Sequence, residues 1–425
     1  MINAQPFIDT LNGKPVALFG LGGSGMATLE WLRKAGIDVI AWDDRASNHR
    51  AAADFGASMH PLDAQTLKSC ACLILAPGVP LTHPEPHPVA AAAHEADCKI
   101  IGDIEILGIC LRDNPRGYKT VAITGTNGKS TTTALLTHVL NACAIPAMMG
   151  GNIGTPALAL QPAKDGTIIV LEISSYQIDL APTFTPDIGI LLNITTDHID
   201  RHGSFENYAA IKHRLLDSSA HKIYAEKLDQ SVLNGHVFPM LPGAHNAQNI
   251  IAVLAACAAL NIDQDDAIKA IKTFPGLAHR QYLARTIQNI HFINDSKGTN
   301  VEAAAKALGC HENIYWIVGG RAKTGGLSGL EKYKTRITHA YLIGESSPDF
   351  AVWMQEQNIP FTLCDTLQNA VPAAYQDAQN AAKDNDQNKD QDATILLSPA
   401  CASWDQFDSF EHRGDTFIDI VEALS

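Results

Sequence analysis

Residues 120–133 read Thr-Val-Ala-Ile-Thr followed by GTNGKSTTT, and no other stretch restricts the possible folds as much. An apolar run of strand length passes into a glycine-rich turn, and an apolar-periodic helix follows. A phosphate cradle is built this way. It needs backbone amides on a glycine turn, a lysine for the terminal phosphates and a hydroxyl for magnesium. Gly125, Gly128, Lys129 and Ser130 supply these groups. The strict eight-residue spacing fails once, because Ile123 stands where its first glycine belongs. A surface turn before a helix is the competing reading, and the strand-to-helix context weighs against it.

Strand-then-helix starts recur along the chain, which predicts α/β architecture with parallel sheets. The first is Val16–Phe19 running into GLGGSG (20–25), with Met26, Leu29 and Leu32 at helical spacing after it. Strands are expected at Asp38–Trp42, ending at Asp43, and at Cys72–Leu75, ending at Ala76-Pro77-Gly78. In the middle of the chain, Ile168–Leu171 ends at Glu172, and Ile188–Leu192 leads through Asn193 to TTDHID (195–200). Further strands are expected at Ile290–Ile293, Ile314–Val318, Ala340–Ile343 and Thr394–Leu397, again with polar loops after them. Turn-forming clusters at Asn114-Pro115-Arg116-Gly117 and Thr273-Phe274-Pro275-Gly276 suggest domains at 1–114, 115–276 and 277–425. The polar stretch 376–392 is read as an exposed loop in its second half.

Composition excludes several classes. The 425 residues carry 31 Lys+Arg against 45 Asp+Glu, a formal charge of −14, which argues against a nucleic-acid or anionic-membrane binder. The longest apolar run, Ile250–Leu260, is about half of the roughly 20 residues a membrane span needs. No cationic region precedes an apolar stretch at the N-terminus, and the nine cysteines are scattered without CxxC. A cytoplasmic protein without membrane insertion is expected.

Each candidate group has a bland reading beside the chemical one. GLGGSG with Asp43 about 20 residues on fits a dinucleotide site, and equally a tight packing turn. Glu172 and His198 taken singly are ordinary strand-end residues. Together, at the ends of neighbouring strands, they predict a hard-cation site. Lys212 lies on an expected helix, 208–216, where an exposed lysine is the ordinary outcome. A plain N-cap accounts for Asn246, while Asn246 with Asn249 one turn on could also pair with an adenine edge. Arg280, Asp295, Lys297 and Lys323 occupy loop positions, where charges are usually surface. Cys401 is read as a packing residue.

In chain order, GTNGKSTTT, EISSYQ (172–177), NITTDHIDRH (193–202), GAHNAQN (243–249), LAHR (277–280) and NDSKGTN (294–300) resemble the Mur ligases. The GLGGSG start and the ending SPACASWDQFDSFEHRG (398–414) are similar to the member that adds D-glutamate. The resemblance runs from about Val16 to Phe417. It implies three domains: a Rossmann-like UDP-sugar domain, a P-loop-type ATPase domain and a Rossmann-like amino-acid domain. It also implies ATP and magnesium as cofactors, with UDP-N-acetylmuramoyl-L-alanine and D-glutamate as substrates, in a cytoplasmic monomer of peptidoglycan synthesis.

By the same resemblance, Ser24, Asp43, Gly78 and Asn152 would hold the UDP substrate. The ATP site would comprise Gly125, Thr126, Asn127, Gly128, Lys129, Ser130 and Thr131, with Asn246 and Asn249 on adenine. Asp295 would meet the ribose and Arg280 the γ-phosphate. Ser130, Glu172, His198 and a carbamoylated Lys212 would hold magnesium. Lys129, Asn152, His198 and Lys212 would act in catalysis. Lys297, Thr299, Lys323, Ser403 and Phe410 would hold D-glutamate. Two departures stand out: the interval from Lys212 to His245 is short, as if a small accessory sheet were missing, and the loop after Lys323 reads TGG where an acid usually follows.

Three other functions remain in view. An NAD-dependent oxidoreductase would use GLGGSG and Asp43 but leaves GTNGKSTTT without a role. A nucleotide-binding regulatory protein would hydrolyse ATP weakly and ignore amino acids. A sibling ligase, or a folate polyglutamating enzyme, would share the phosphate loop, and SPACASWDQF speaks against both.

Overall fold

The computed structural model describes residues 2–238, 240–323, 325–384 and 392–424. The chain forms two compact units, Met1–Val237 with His245–Phe274, and Phe238–Ala244 with Pro275–Ser425. The first unit holds two sheets and the second holds one. As the repeated strand-then-helix pattern requires, the architecture is α/β with mainly parallel strands.

The first sheet contains β1 (Val16–Phe19), β2 (Val39–Trp42), β3 (Ser58–Met59), β4 (Leu73–Leu75) and β5 (Ile100–Ile101), all paired in parallel in the order β3-β2-β1-β4-β5. Central β1 is buried along its whole length, because helices cover both faces and alternate residues serve each. Val16 and Leu18 pack with Leu29 and Leu32 of the helix Gly23–Lys34. Ala17 and Phe19 pack with Leu67, Leu75 and Val89 on the other face. That helix can start directly behind β1 because its third residue lacks a side chain. A Cβ on Gly25 would lie 1.8 Å from the Gly20 carbonyl oxygen. Gly25→Ala should therefore push helix and strand apart and destabilise the first unit by about 1–3 kcal/mol. An unchanged urea-unfolding midpoint would refute this account of the turn.

The second sheet has β6 (Lys119–Thr124), β7 (Ala147–Gly151), β8 (Ile168–Glu172), β9 (Ile188–Leu191) and β10 (His221–Tyr224), again all parallel, in the order β10-β9-β6-β8-β7. Strand order reverses at β6, so loops after β6, β8 and β9 open into one crevice, the usual ligand position in such sheets. The turn expected around Arg116 is present, and its guanidinium is fixed by Asp165 at 2.5 Å and by the Pro162 and Ala163 carbonyls. One apolar cluster runs from Phe7 and Leu29 to Leu158 and Phe184, so both sheets of this unit share buried surface. Beyond β10, residues 225–243 hold two short 3-10 turns, Ala225–Lys227 and Gln230–Leu233, and no further strand among the described residues.

The second unit carries β11 (Tyr282–Ile287), β12 (Ile290–Asn294), β13 (Ile314–Gly319), β14 (Ile337–Ile343), β15 (Phe361–Asp365) and β16 (Ala393–Leu397), ordered β11-β12-β16-β13-β14-β15. Only the edge strand β11 is antiparallel to its neighbour. The core strand β13 is wholly buried, with Trp316 donating its indole N–H to the Ser398 carbonyl at 2.8 Å. The first half of the polar stretch 376–392 is the end of the helix Leu367–Asp384. Its second half, read from sequence as a loop, lies mostly outside the described residues.

Candidate active site

The phosphate loop lies between β6 and the helix that follows it. Gly125 and Gly128 take φ values of +153° and +85°, which turns the chain from β6 into the helix Lys129–Ala142. Lys129 folds back over the loop, donating to the Gly125 and Thr126 carbonyls at 2.9 Å each. The loop is braced from β9 by Asn193, whose Oδ1 accepts from Asn127 N at 2.9 Å. Thr126 Oγ1 is hydrogen-bonded to the Tyr208 hydroxyl at 3.0 Å. Ser130 and Thr131 occupy the first turn of the helix, where amide N–H groups and the helix dipole favour an anion.

Glu172 closes β8 beside Ile123, one strand from the loop. Its side chain is buried; Oε1 accepts from Asn152 Nδ2 at 2.8 Å, while Oε2 is buried with no hydrogen-bond partner. A buried carboxylate oxygen without a donor is costly, and a hard cation is the group that would satisfy it. Among the described residues no three His, Cys, Asp or Glu side chains gather into a metal cluster. Magnesium prefers oxygen ligands and keeps several waters, so a lone carboxylate oxygen such as Glu172 Oε2 would suit it.

Lys212 corrects the ordinary expectation for a helical lysine. The helix Phe205–Ser218 turns it inward, leaving it 1% exposed. Its Nζ donates to the Gly125 carbonyl at 3.0 Å and to Thr124 Oγ1 at 3.3 Å, 4.7 Å from the centre of the Tyr208 ring. Burial, and then the nearby Lys129 charge, push its pKa down to about 7. A substantial neutral fraction at physiological pH makes the amine a nucleophile. His198 sits in a left-handed backbone conformation, φ +54°, with Nδ1 hydrogen-bonded to the Tyr176 hydroxyl at 2.8 Å. Burial first, with Lys129 and Lys212 adding to it, lowers its pKa.

Asn246 is not a helix N-cap, since the helix already runs from Ala244 to Ala259. Both asparagines are buried, with Asn249 Nδ2 donating to Asn246 Oδ1 at 3.0 Å. Asn249 lies against the phosphate loop, where a Cβ on Gly128 would come within 2.3 Å of its Oδ1. At the first sheet, Ser24 is in the opening turn of its helix and Gly78 is exposed in the loop after β4. Asp43 is buried and spent on backbone: its carboxylate accepts from Leu21 N at 2.5 Å and Arg45 N at 2.7 Å. These bonds outweigh the opposing burial and hold its pKa low.

In the second unit, Asp295 and Ser398 meet at the ends of β12 and β16, with Ser398 Oγ donating at 2.7 Å. Burial pushes Asp295 up to about 7 against its hydrogen bonds and the Arg280 charge. Lys297 Nζ lies 3.8 Å from the centre of the Phe410 ring, which brings two of the sequence candidates together. Thr299 follows on the same loop, its N–H donating to the Lys297 carbonyl at 2.8 Å. Ser403 is buried in the loop after β16, whereas Lys323 is exposed in the turn after β13. Cys401 is fully buried with its thiol pushed up to about 11, consistent with packing.

Sequence reasoning passed over Tyr176, Tyr208, Arg201 and Arg413. Arg413 is 1% exposed and donates to Ser296 Oγ and to the Ser296 and Cys401 carbonyls. The helix Phe410–Glu422 puts it one turn from Phe410, and that spacing was the available signal.

Residues 123–234 match the Mur ligase middle domain, and residues 14–102 match the Mur ligase MurD-like N-terminal domain. The chain is 42% identical to a UDP-N-acetylmuramoylalanine--D-glutamate ligase of Rhizobium meliloti, over 98% of both chains. The chain belongs to the Mur ligases. The enzyme of the same name from Nitrobacter winogradskyi is 40% identical, again over 98% of both. Among solved structures, the UDP-N-acetylmuramate-alanine ligase of Thermotoga maritima superposes with a TM-score of 0.58, covering 96% of this chain and 99% of its own at 17% identity. That likeness is one of fold.

Proposed function

We infer that this chain is an ATP-dependent, amide-bond-forming ligase that adds D-glutamate to UDP-N-acetylmuramoyl-L-alanine in peptidoglycan synthesis. The observation that carries the reading is identity of about 40% along nearly the whole chain to ligases of that name. The phosphate loop, the orphaned Glu172 oxygen and the buried Lys212 supply matching chemistry in the first unit.

The alanyl carboxylate oxygen attacks the γ-phosphorus of ATP, ADP departs, and an acyl phosphate remains. The neutral amine of D-glutamate then attacks the acyl carbon, the tetrahedral adduct gives up one N–H proton to solvent, and phosphate is expelled as the amide forms. Lys129 neutralises the transferring phosphoryl group, and the glycine-loop amides with Ser130 and Thr131 orient the triphosphate. Magnesium, when bound, would neutralise the phosphate oxygens, with Ser130 and Glu172 holding one ion and His198 a second beside a carbamoylated Lys212. Asn246 and Asn249 would read adenine, while Arg280 and Asp295 would approach the γ-phosphate and ribose. Ser24, Asp43, Gly78 and Asn152 would receive the UDP substrate. For Asp43 the low pKa favours an anionic acceptor of an N–H or hydroxyl over contact with a diphosphate. Lys297, Thr299, Lys323, Ser403 and Phe410 would hold D-glutamate, the ammonium groups facing its carboxylates.

Division into domains 1–114, 115–276 and 277–425 is supported by three separate sheets, and would give each substrate its own sheet end. A cytoplasmic monomer remains the reading. Among the described residues no helix is long and apolar enough to cross a membrane.

The deciding experiment measures phosphate release from ATP and magnesium with UDP-N-acetylmuramoyl-L-alanine, comparing D-glutamate with other amino acids. Release that needs both substrates, with a product heavier by one glutamyl residue, supports the ligase. Release indifferent to the amino acid leaves an ATPase and favours a regulatory role. In the same assay Glu172→Gln should raise the magnesium concentration for half-maximal rate at least about tenfold. An unaltered magnesium dependence would remove Glu172 from the metal site.

A further inference from the structure

The helical turn Ile199–His202, directly after His198, is fastened to two other segments of the first unit. Arg201 Nη2 donates to the carbonyls of Pro77 and Val79, which flank Gly78 in the loop after β4. Its guanidinium carbon lies 5.3 Å from the centre of the Tyr176 ring, and Nε is buried without a hydrogen-bond partner. The Tyr176 hydroxyl in turn meets His198 Nδ1 at 2.8 Å. Next door, His202 Nε2 is hydrogen-bonded to Ser175 Oγ at 2.9 Å. Gly203, at φ +78°, lets the His83 ring approach so closely that a Cβ would lie 2.5 Å from Nε2. Loop 77–83 of the first sheet and turn 198–203 of the second therefore interlock through side chains from both.

We propose that Arg201 is a positioning residue for the nucleotide-sugar. It holds the loop around Gly78 against the turn that carries His198, so the substrate's nucleotide end and the phosphoryl-transfer site keep one fixed spacing. The proposal rests on Gly78 lying in the UDP-substrate site. One guanidinium nitrogen meets both carbonyls while the planar group lies over the Tyr176 ring; a lysine ammonium can keep the charge and carbonyl bonding but has no planar group to lay over that ring. Displacement of a substrate-positioning loop by even about 1 Å is enough to slow catalysis far from the altered residue. A brace with no role in substrate placement would instead affect folding or all ligands alike.

The test titrates UDP-N-acetylmuramoyl-L-alanine, and separately ATP with magnesium, into the full chain by calorimetry, with no turnover required. Arg201→Ala is expected to weaken the nucleotide-sugar at least about tenfold while leaving ATP within about twofold. Arg201→Lys should recover part of the loss. Equal weakening of both ligands, or unchanged nucleotide-sugar affinity, overturns the proposal. If Arg201→Ala fails to fold, Arg201→Lys decides by the same criterion, severalfold selective weakening being the expected result. A wild-type chain that binds no UDP-N-acetylmuramoyl-L-alanine refutes the functional reading and the positioning role together. Tight wild-type binding with an indifferent Arg201→Ala refutes the positioning role alone.

Discussion

Lys129→Ala is expected to lower the rate of phosphate release about a thousandfold while leaving the fold intact. The side chain is half-buried over the loop and within reach of the Gly125 and Thr126 carbonyls, so it is held by the cradle and not by the core. A ligand phosphate would exchange those two carbonyl contacts for a charge-assisted one, which is stronger. Negative charge spreads over the phosphoryl oxygens in the transition state, and a fixed cation stabilises it more than it stabilises bound ATP. Steady-state kinetics with both substrates, alongside a thermal unfolding curve, make the check. A variant within about tenfold of wild type, properly folded, would end the phosphate-loop reading.

Lys212→Ala should cost at least about a hundredfold in rate, partly restored by acetate or formate. The reasoning starts from an amine held at about pKa 7 by burial and the Lys129 charge. Such an amine reacts with carbon dioxide to give a carbamate, turning a cation into an anion able to ligate magnesium. A small carboxylate diffusing into the vacated space presents the same two oxygens. Full activity of Lys212→Ala without additive would remove the carbamoyl role. The same shift has a stability consequence with a definite sign. Unmodified Lys212 drops from 10.5 when unfolded to about 7 when folded. Below pH 7 both states carry the proton, so the penalty for the buried charge is complete. Between the two values the unfolded chain holds a proton that the folded one has shed, and stability rises with pH. In bicarbonate-free buffer Lys212→Met should therefore be more stable than wild type below pH 7, with its advantage shrinking as pH rises towards 10.5.

Much of the scaffold was readable because parallel strands covered on both faces leave continuous apolar runs. Val16–Phe19, Ile168–Glu172 and Ile314–Gly319 are such strands. Their ends carry the polar groups, so Lys129, Glu172 and Asp295 could be marked before any coordinates. The missed strands lacked that signature. Ser58–Met59 and Ile100–Ile101 are too short for a period, Ala147–Gly151 contains two glycines and no β-branched residue, and the edge strands His221–Tyr224, Tyr282–Ile287 and Phe361–Asp365 are only partly buried. Within the site, pattern could not tell which way a helix faces. Lys212 looks like a surface lysine until tertiary packing turns it under the loop, and Asn246 looks like a cap until the helix starts two residues earlier. Tyr176 and Arg201 escaped for a related reason, since each acts by touching a segment far away in sequence.

The approach of Asn249 to Gly128 has a consequence for nucleotide choice. With no side chain at Gly128, the amide-bearing helix seats directly on the loop that grips phosphates. On the reading that Asn246 and Asn249 face the base, the two contacts form a caliper whose jaws cannot slide. It measures the distance from base to phosphate chain as well as recognising either end. A nucleotide with a correct base but a lengthened sugar–phosphate tether would then fit one jaw at a time.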